Sequence, residues 1–84
     1  MSKQARRKQS QAVQLLDQAV KRYKALVRSN SSHQPNADTS VATLERYVKR
    51  LRSLMGTPGG APRFWSLLQK VHLRLLKHTL DLRN

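Results

Sequence analysis

Apolar side chains recur every three or four residues through three stretches of the chain, the spacing that lines one face of an α-helix. In the first, about residues 3–28, Ala12, Leu16, Ala19, Tyr23 and Leu26 stand four, three, four and three residues apart, with Leu15, Val20 and Val27 flanking them. Lys3, Arg7, Ser10, Gln14, Asp17, Lys21, Lys24 and Arg28 keep the same rhythm two residues out of phase. At 100° per residue this puts them about 200° round the helix, on a cationic back opposite the apolar stripe. Arg6, Lys8 and Arg22 widen that back.

The second stretch, about 40–55, carries Val41, Leu44, Val48, Leu51 and Met55 in a heptad-like seam, with Tyr47 and Leu54 on its shoulder. Arg46, Lys49 and Arg50 project from the far side. Arg52 falls near the seam edge, where its methylenes can pack while the guanidinium emerges. Residues Asp38 to Ser40 are candidate caps, and Gly56 suits the left-handed position after a helix. In the third stretch, about 62–82, Pro62 fits a first helical turn, and Phe64, Leu67, Leu68, Val71, Leu75 and Leu82 form the main apolar face. Arg63, Lys70, Arg74, Lys77 and Asp81 share the opposite stripe. Trp65, Leu73, Leu76 and Leu80 extend the apolar surface past half the circumference, more than one packing face needs. These four are the candidate partner-binding residues.

Two breaks separate the stretches. "SNSSHQPNADTS", 29–40, has no cation and no large apolar residue, and Pro35 forbids one continuous helix through it. "GTPGGAP", 56–62, holds all three glycines and two of the three prolines, the composition of a defined turn between helices. The expectation is an all-α fold, a small basic helical hairpin or three-helix bundle. It forms one domain over 1–84, with helices about 3–28, 40–55 and 62–82, loops 29–39 and 56–61, and a start that could form an extended basic arm.

Charge changes what this fold is for. Seventeen Lys and Arg face four acids, a formal net charge of +13 on 84 residues. Self-repulsion at that charge opposes compaction, and a polyanionic partner relieves it through neutralisation and counterion release. A core this small supplies only a few kcal/mol, so the chain can lean on such a partner. Eight cations lie in 1–28, none in 29–45, four in 46–52 and five in 63–83, so the charge is mounted on the helices and absent from the first linker. The candidate nucleic-acid contacts are Lys3, Arg6, Arg7, Lys8, Lys21, Arg22, Lys24, Arg28, Arg46, Lys49, Arg50, Arg52, Arg63, Lys70, Arg74 and Lys77.

Other chemistries find little support. The chain has no cysteine, which excludes disulfides and thiolate metal sites and fits a reducing compartment. No apolar run reaches the length of a membrane span. His72 and His78 lie about 120° apart on a helix and do not make a metal-binding pair, which leaves His72 as a part-buried residue and His78 at a boundary or on a phosphate. The acids Asp17, Asp38, Glu45 and Asp81 form no evident catalytic pair, and the glycine-rich turn lacks the Lys-Ser/Thr of a phosphate-binding loop. No enzyme activity, cofactor or metal is expected. Tyr23 and Tyr47 read as packing residues at the seams.

The connection 29–40 is too long for a helix-turn-helix, and the aromatics form no single-strand stacking platform. Backbone and shape recognition of structured RNA, with duplex DNA as the alternative, is what remains. Arginine, which grips phosphates bidentately and stacks on exposed bases, favours RNA. The plan of a short basic helical hairpin or bundle with a polar N-terminal extension is similar to small ribosomal proteins that wedge between RNA helices, a likeness that brings no site residues. The expected role is a small RNA-binding subunit of a ribosome or other ribonucleoprotein, with a protein neighbour on the third helix. Two other roles fit the same residues: an accessory protein-interaction subunit of a membrane-associated or respiratory assembly, and a dimeric DNA-binding regulator or packaging protein. The basic, acid-free start up to Asp17 also reads as an organelle-import sequence, so a mitochondrial or other organellar location stands beside a cytoplasmic or nuclear one.

Overall fold

The computed structural model describes residues 3–29 and 35–83, and side chains within 6–29 and 39–82. Three helices follow one another, α1 (Lys3–Ser29), α2 (Pro35–Met55) and α3 (Ala61–Arg83), and no strand occurs among the described residues. They pack up, down and up as a three-helix bundle, a rod of 46 × 16 × 16 Å.

The core is a set of seven-residue repeats. Val13, Leu16, Val20, Tyr23 and Val27 of α1 meet Val41, Leu44, Val48 and Leu51 of α2 and Phe64, Leu68, Val71 and Leu75 of α3. Each series alternates steps of three and four, the pattern that keeps one seam of a helix facing its neighbours along the whole rod. Valine fills six of these thirteen positions. On α1 the seam differs from the expected stripe. Leu16 and Tyr23 belong to it, but the rows beside them are exchanged: Val13, Val20 and Val27 are buried, whereas Ala12 and Ala19 are half-buried and Leu26 is exposed. Both rows flank Leu16, about 60° to either side, and α2 and α3 together cover the valine row more completely.

The helix limits depart from expectation at two places. Ser29 ends α1 and Pro35 opens α2, so the loop expected over 29–39 is shorter, and its residues 30–34 lie outside the described residues. Proline is well placed at a first helical position because its missing N–H would have no partner there, and the helix then runs through the residues expected to cap it. At the other end of the chain α1 is helical from Lys3, in place of the extended arm considered for the start; Met1 and Ser2 lie outside the described residues.

The turn between α2 and α3 closes on backbone bonds. Gly56 N–H donates to Ser53 O (3.3 Å) and Thr57 N–H to Leu54 O (3.2 Å), tightening the last turn of α2 without a left-handed residue, so Gly56 does not take the positive φ expected of it. That conformation falls to Gly59, at φ 72°. Gly60 N–H then donates to Thr57 O (3.0 Å), and its own carbonyl accepts from Phe64 N–H (2.8 Å), starting α3. A Cβ on Gly60 would stand 2.7 Å from Leu54 O and 3.0 Å from Thr57 O, so only glycine lets the chain pass this close to the end of α2.

Candidate nucleic-acid interface

The helical repeat assigns every surface residue to a side of the bundle, and the ion pairs and ring contacts confirm which rows border which neighbour. Between α1 and α2 the bordering rows hold Asp17 and Lys24 on one helix and Glu45 and Arg52 on the other. Asp17 Oδ2 accepts from Arg52 at 3.4 Å and pairs with Lys21 at 3.3 Å; Lys24 Nζ lies 3.8 Å from Glu45. These pairs are substantially exposed and each is worth under about 1 kcal/mol, more alignment than glue. Outside them Arg7 and Arg28 of α1 and Arg46 and Lys49 of α2 are exposed, with no acid in ion-pair reach among the described residues. An open groove along this side is lined by Arg6, Ser10, Gln14, Asp17, Lys21 and Arg52.

On the other flank of α2, Arg74 of α3 holds its guanidinium carbon 5.6 Å from the centre of the Tyr47 ring, a cation–π contact across the α2–α3 border. Arg50 is exposed on this side, and Arg63, Lys70 and Lys77 form the outer row of α3 next to it. Thus α2 runs between two basic flanks and, among the described residues, exposes no large apolar side chain.

The expected cations therefore do not form one surface. Those of α1 divide: Arg7, Lys21 and Arg28 share the α2 side, while Lys8 and Arg22 lie in the same row as Leu15, toward α3. Arg6 falls on the seam register yet is exposed, one step beyond Gln9, the first buried residue of the seam. The side chain of Lys3 lies outside the described residues. Lys21, Lys24 and Arg52 are engaged by acids, and Arg74 by a ring; of the cations these contacts leave, Arg7, Arg28, Arg46, Lys49 and Arg50 are the ones that α1 and α2 present around α2.

The four partner-binding candidates are exposed as expected, Trp65 by 42%, Leu73 by 61%, Leu76 by 57% and Leu80 by 51%. The sequence reading missed that Leu15 and Leu26 of α1 join them, at 65% and 46%. The signal was present in the two competing apolar rows of α1, only one of which a three-helix seam can absorb.

The histidines behave differently from each other. His72 is exposed, contrary to the part-buried reading, since it sits on the open border of α3. His78 occupies the seam and its ring lies 6.2 Å from that of Tyr23, tilted by 32°. Burial pushes the Tyr23 phenol above its ordinary value of 10.0; a hydrogen bond with the Ser40 side chain works the other way, and the charge of Asp81 adds to the rise. The phenol therefore keeps its proton at neutral pH, with its ring held in the core. Among the described residues no group of three His, Asp or Glu side chains is placed to hold a metal ion, and no helix is long and apolar enough to cross a membrane.

No protein-family model matches the chain, and no curated protein and no solved structure matches it.

Proposed function

We propose that this chain is a non-catalytic, nucleic-acid-binding structural protein, a small RNA-binding subunit of a ribosome or other ribonucleoprotein. Phosphates lie along the basic flanks of α2, and a protein neighbour meets α3. One observation carries the reading: Arg46, Lys49 and Arg50 of α2 and Arg7 and Arg28 of α1 are exposed on helices, with no acid paired to them among the described residues. Solubility needs far less than a net +13. Helix-mounted cations keep fixed spacings, so they suit a folded phosphate surface better than a flexible polyanion. Four of these five are arginines, whose planar forks bind phosphate oxygens bidentately and stack on bases that folded RNA leaves exposed and a closed duplex hides.

The test is binding of a structured RNA, followed by fluorescence anisotropy at low and moderate salt, for the protein and for Arg46→Glu with Arg50→Glu. The expected result is a loss of about tenfold or more in affinity on charge reversal, a shallower salt dependence, and unchanged helix content by circular dichroism. Affinity that survives the reversal at low salt overturns the α2 interface. A duplex DNA of equal length that competes as well as the RNA overturns the choice of RNA.

A further inference from the structure

The bundle has one apolar side, and two helices build it. On α1 the row bordering α3 is Ala12, Ala19 and Leu26, with Leu15 in the next row out; on α3 Trp65 borders α1, and Leu76, Leu73 and Leu80 follow outward. The Tyr23–His78 ring contact fixes α1 and α3 as parallel neighbours in register, which brings Leu26 level with the turn of Leu80. Ala12 and Ala19, half-buried and packed on the core, put small side chains between the exposed Leu15 and Leu26 of α1 and the exposed residues of α3. Cations rim this apolar side along α1, where Lys8 and Arg22 share the row of Leu15, and the exposed His72 stands on its α3 border.

We infer that this α1–α3 side docks an amphipathic helix of an acidic protein partner, seated as the fourth helix of the bundle. The inference rests on the protein-neighbour part of the function proposed above and is independent of its RNA part. Charge names the occupant. An apolar surface with a cationic rim along α1 fits a helix with an apolar stripe edged by Glu or Asp, whose carboxylates reach Lys8 and Arg22. A second copy of this chain would press the same cations against their own kind, at +13 for each copy. The apolar surface also belongs to two helices with small alanines between their leucines, positions that receive side-chain knobs of a further helix, whereas a lipid surface is met by one outward-facing helix. Trp65 and Leu80 are fifteen residues apart, about 22 Å along the helix, so the partner helix spans about four turns.

Trp65 is the single tryptophan and stands half-exposed on this side, so its fluorescence reports occupancy directly. The probe is a synthetic helical peptide of about twenty residues with leucines on one stripe and glutamates on both flanks. It is compared with a scrambled peptide of the same composition, a lysine-flanked version, and vesicles of phosphatidylcholine and phosphatidylglycerol. The expected result is a saturable blue shift of Trp65 with the acidic peptide alone, weakened tenfold or more by Leu15→Ser with Leu76→Ser. If the serine pair loses helix content, Leu76→Ala repeats the measurement with a strong helix former. Arg46→Glu with Arg50→Glu should bind the peptide like the unaltered protein, which separates failure here from failure of RNA binding. No shift with the acidic peptide overturns the inference. So does an equal shift with the scrambled or lysine-flanked peptide, a shift with vesicles alone, or a concentration-dependent dimer in sedimentation that shields Trp65 without any peptide.

Discussion

Gln9 shows how a single residue can stand against its surroundings. It is 1% exposed, the one buried polar side chain among the described residues, and its Oε1 has no hydrogen-bond partner there. It occupies the seam register one step before Val13, where the repeat calls for an apolar residue. An amide carbonyl taken out of water without a partner costs about 1–3 kcal/mol, a large fraction of what so short a chain can hold in reserve. A polar residue on a seam can nonetheless favour one helix register over others, because slipped alignments bury it still less comfortably. Gln9→Met keeps the side-chain length and removes the unsatisfied oxygen. The expected outcome is a gain of about 1 kcal/mol or more, seen as a melting temperature several degrees higher. A lower melting temperature would mean that the carbonyl has a partner after all, such as an ordered water. Nothing in the sequence marked this residue, because a glutamine one step beyond the last apolar position of a stripe reads as the start of the solvent face.

For the helices, periodicity told their number and kind, and less about their rotation. Three amphipathic stretches and two breaks were legible because glycine, proline and the spacing of leucines act locally. The rotation of α1 about its axis is a tertiary property. Two apolar rows, Val13–Val20–Val27 and Ala12–Ala19–Leu26, satisfy the helical period equally, and only the positions of α2 and α3 select the first. On α2 and α3 a single strong seam left no such choice, and the expected apolar faces are the ones that pack. A matched pair of substitutions tests the rotation. Val20, 2% exposed, should tolerate serine poorly, at a cost of about 2–4 kcal/mol for the lost burial and the polar atom placed in the core. Leu26→Ser, a larger change in volume at a site 46% exposed, should cost no more than about 0.5–1 kcal/mol. Urea unfolding gives both values, and equal costs would mean that α1 is turned about its axis from the position described. The candidate interface was legible to the same degree. The cations were identifiable by type and helix, but their division between the α2 side and the α3 side follows from that rotation.

The whole molecule separates its charge from its grease. α2 and the flanks beside it are basic, the α1–α3 side is apolar, and of the four acids that could soften the contrast Asp17 and Glu45 are spent on aligning α1 with α2. Such a charge distribution makes stability depend on ionic conditions in a way that discriminates between causes. At +13 the folded rod holds like charges closer together than the unfolded chain does, so screening should stabilise it. The surface ion pairs act in the opposite direction, but two acids cannot outweigh the repulsion among so many cations. The melting temperature should therefore rise as salt is added to the free protein. Structured RNA should raise it too, by linkage: at a concentration about a hundredfold above its dissociation constant the gain is about 2.7 kcal/mol, or about 10–20 °C for a chain of this length. Salt competes with RNA for the same cations, so the RNA increment should shrink as the salt baseline climbs, and the two curves should converge. Parallel curves would place the RNA on a surface that is not electrostatic. A baseline that falls with salt would show that attraction outweighs repulsion in the free molecule, removing the physical reason for a polyanionic partner.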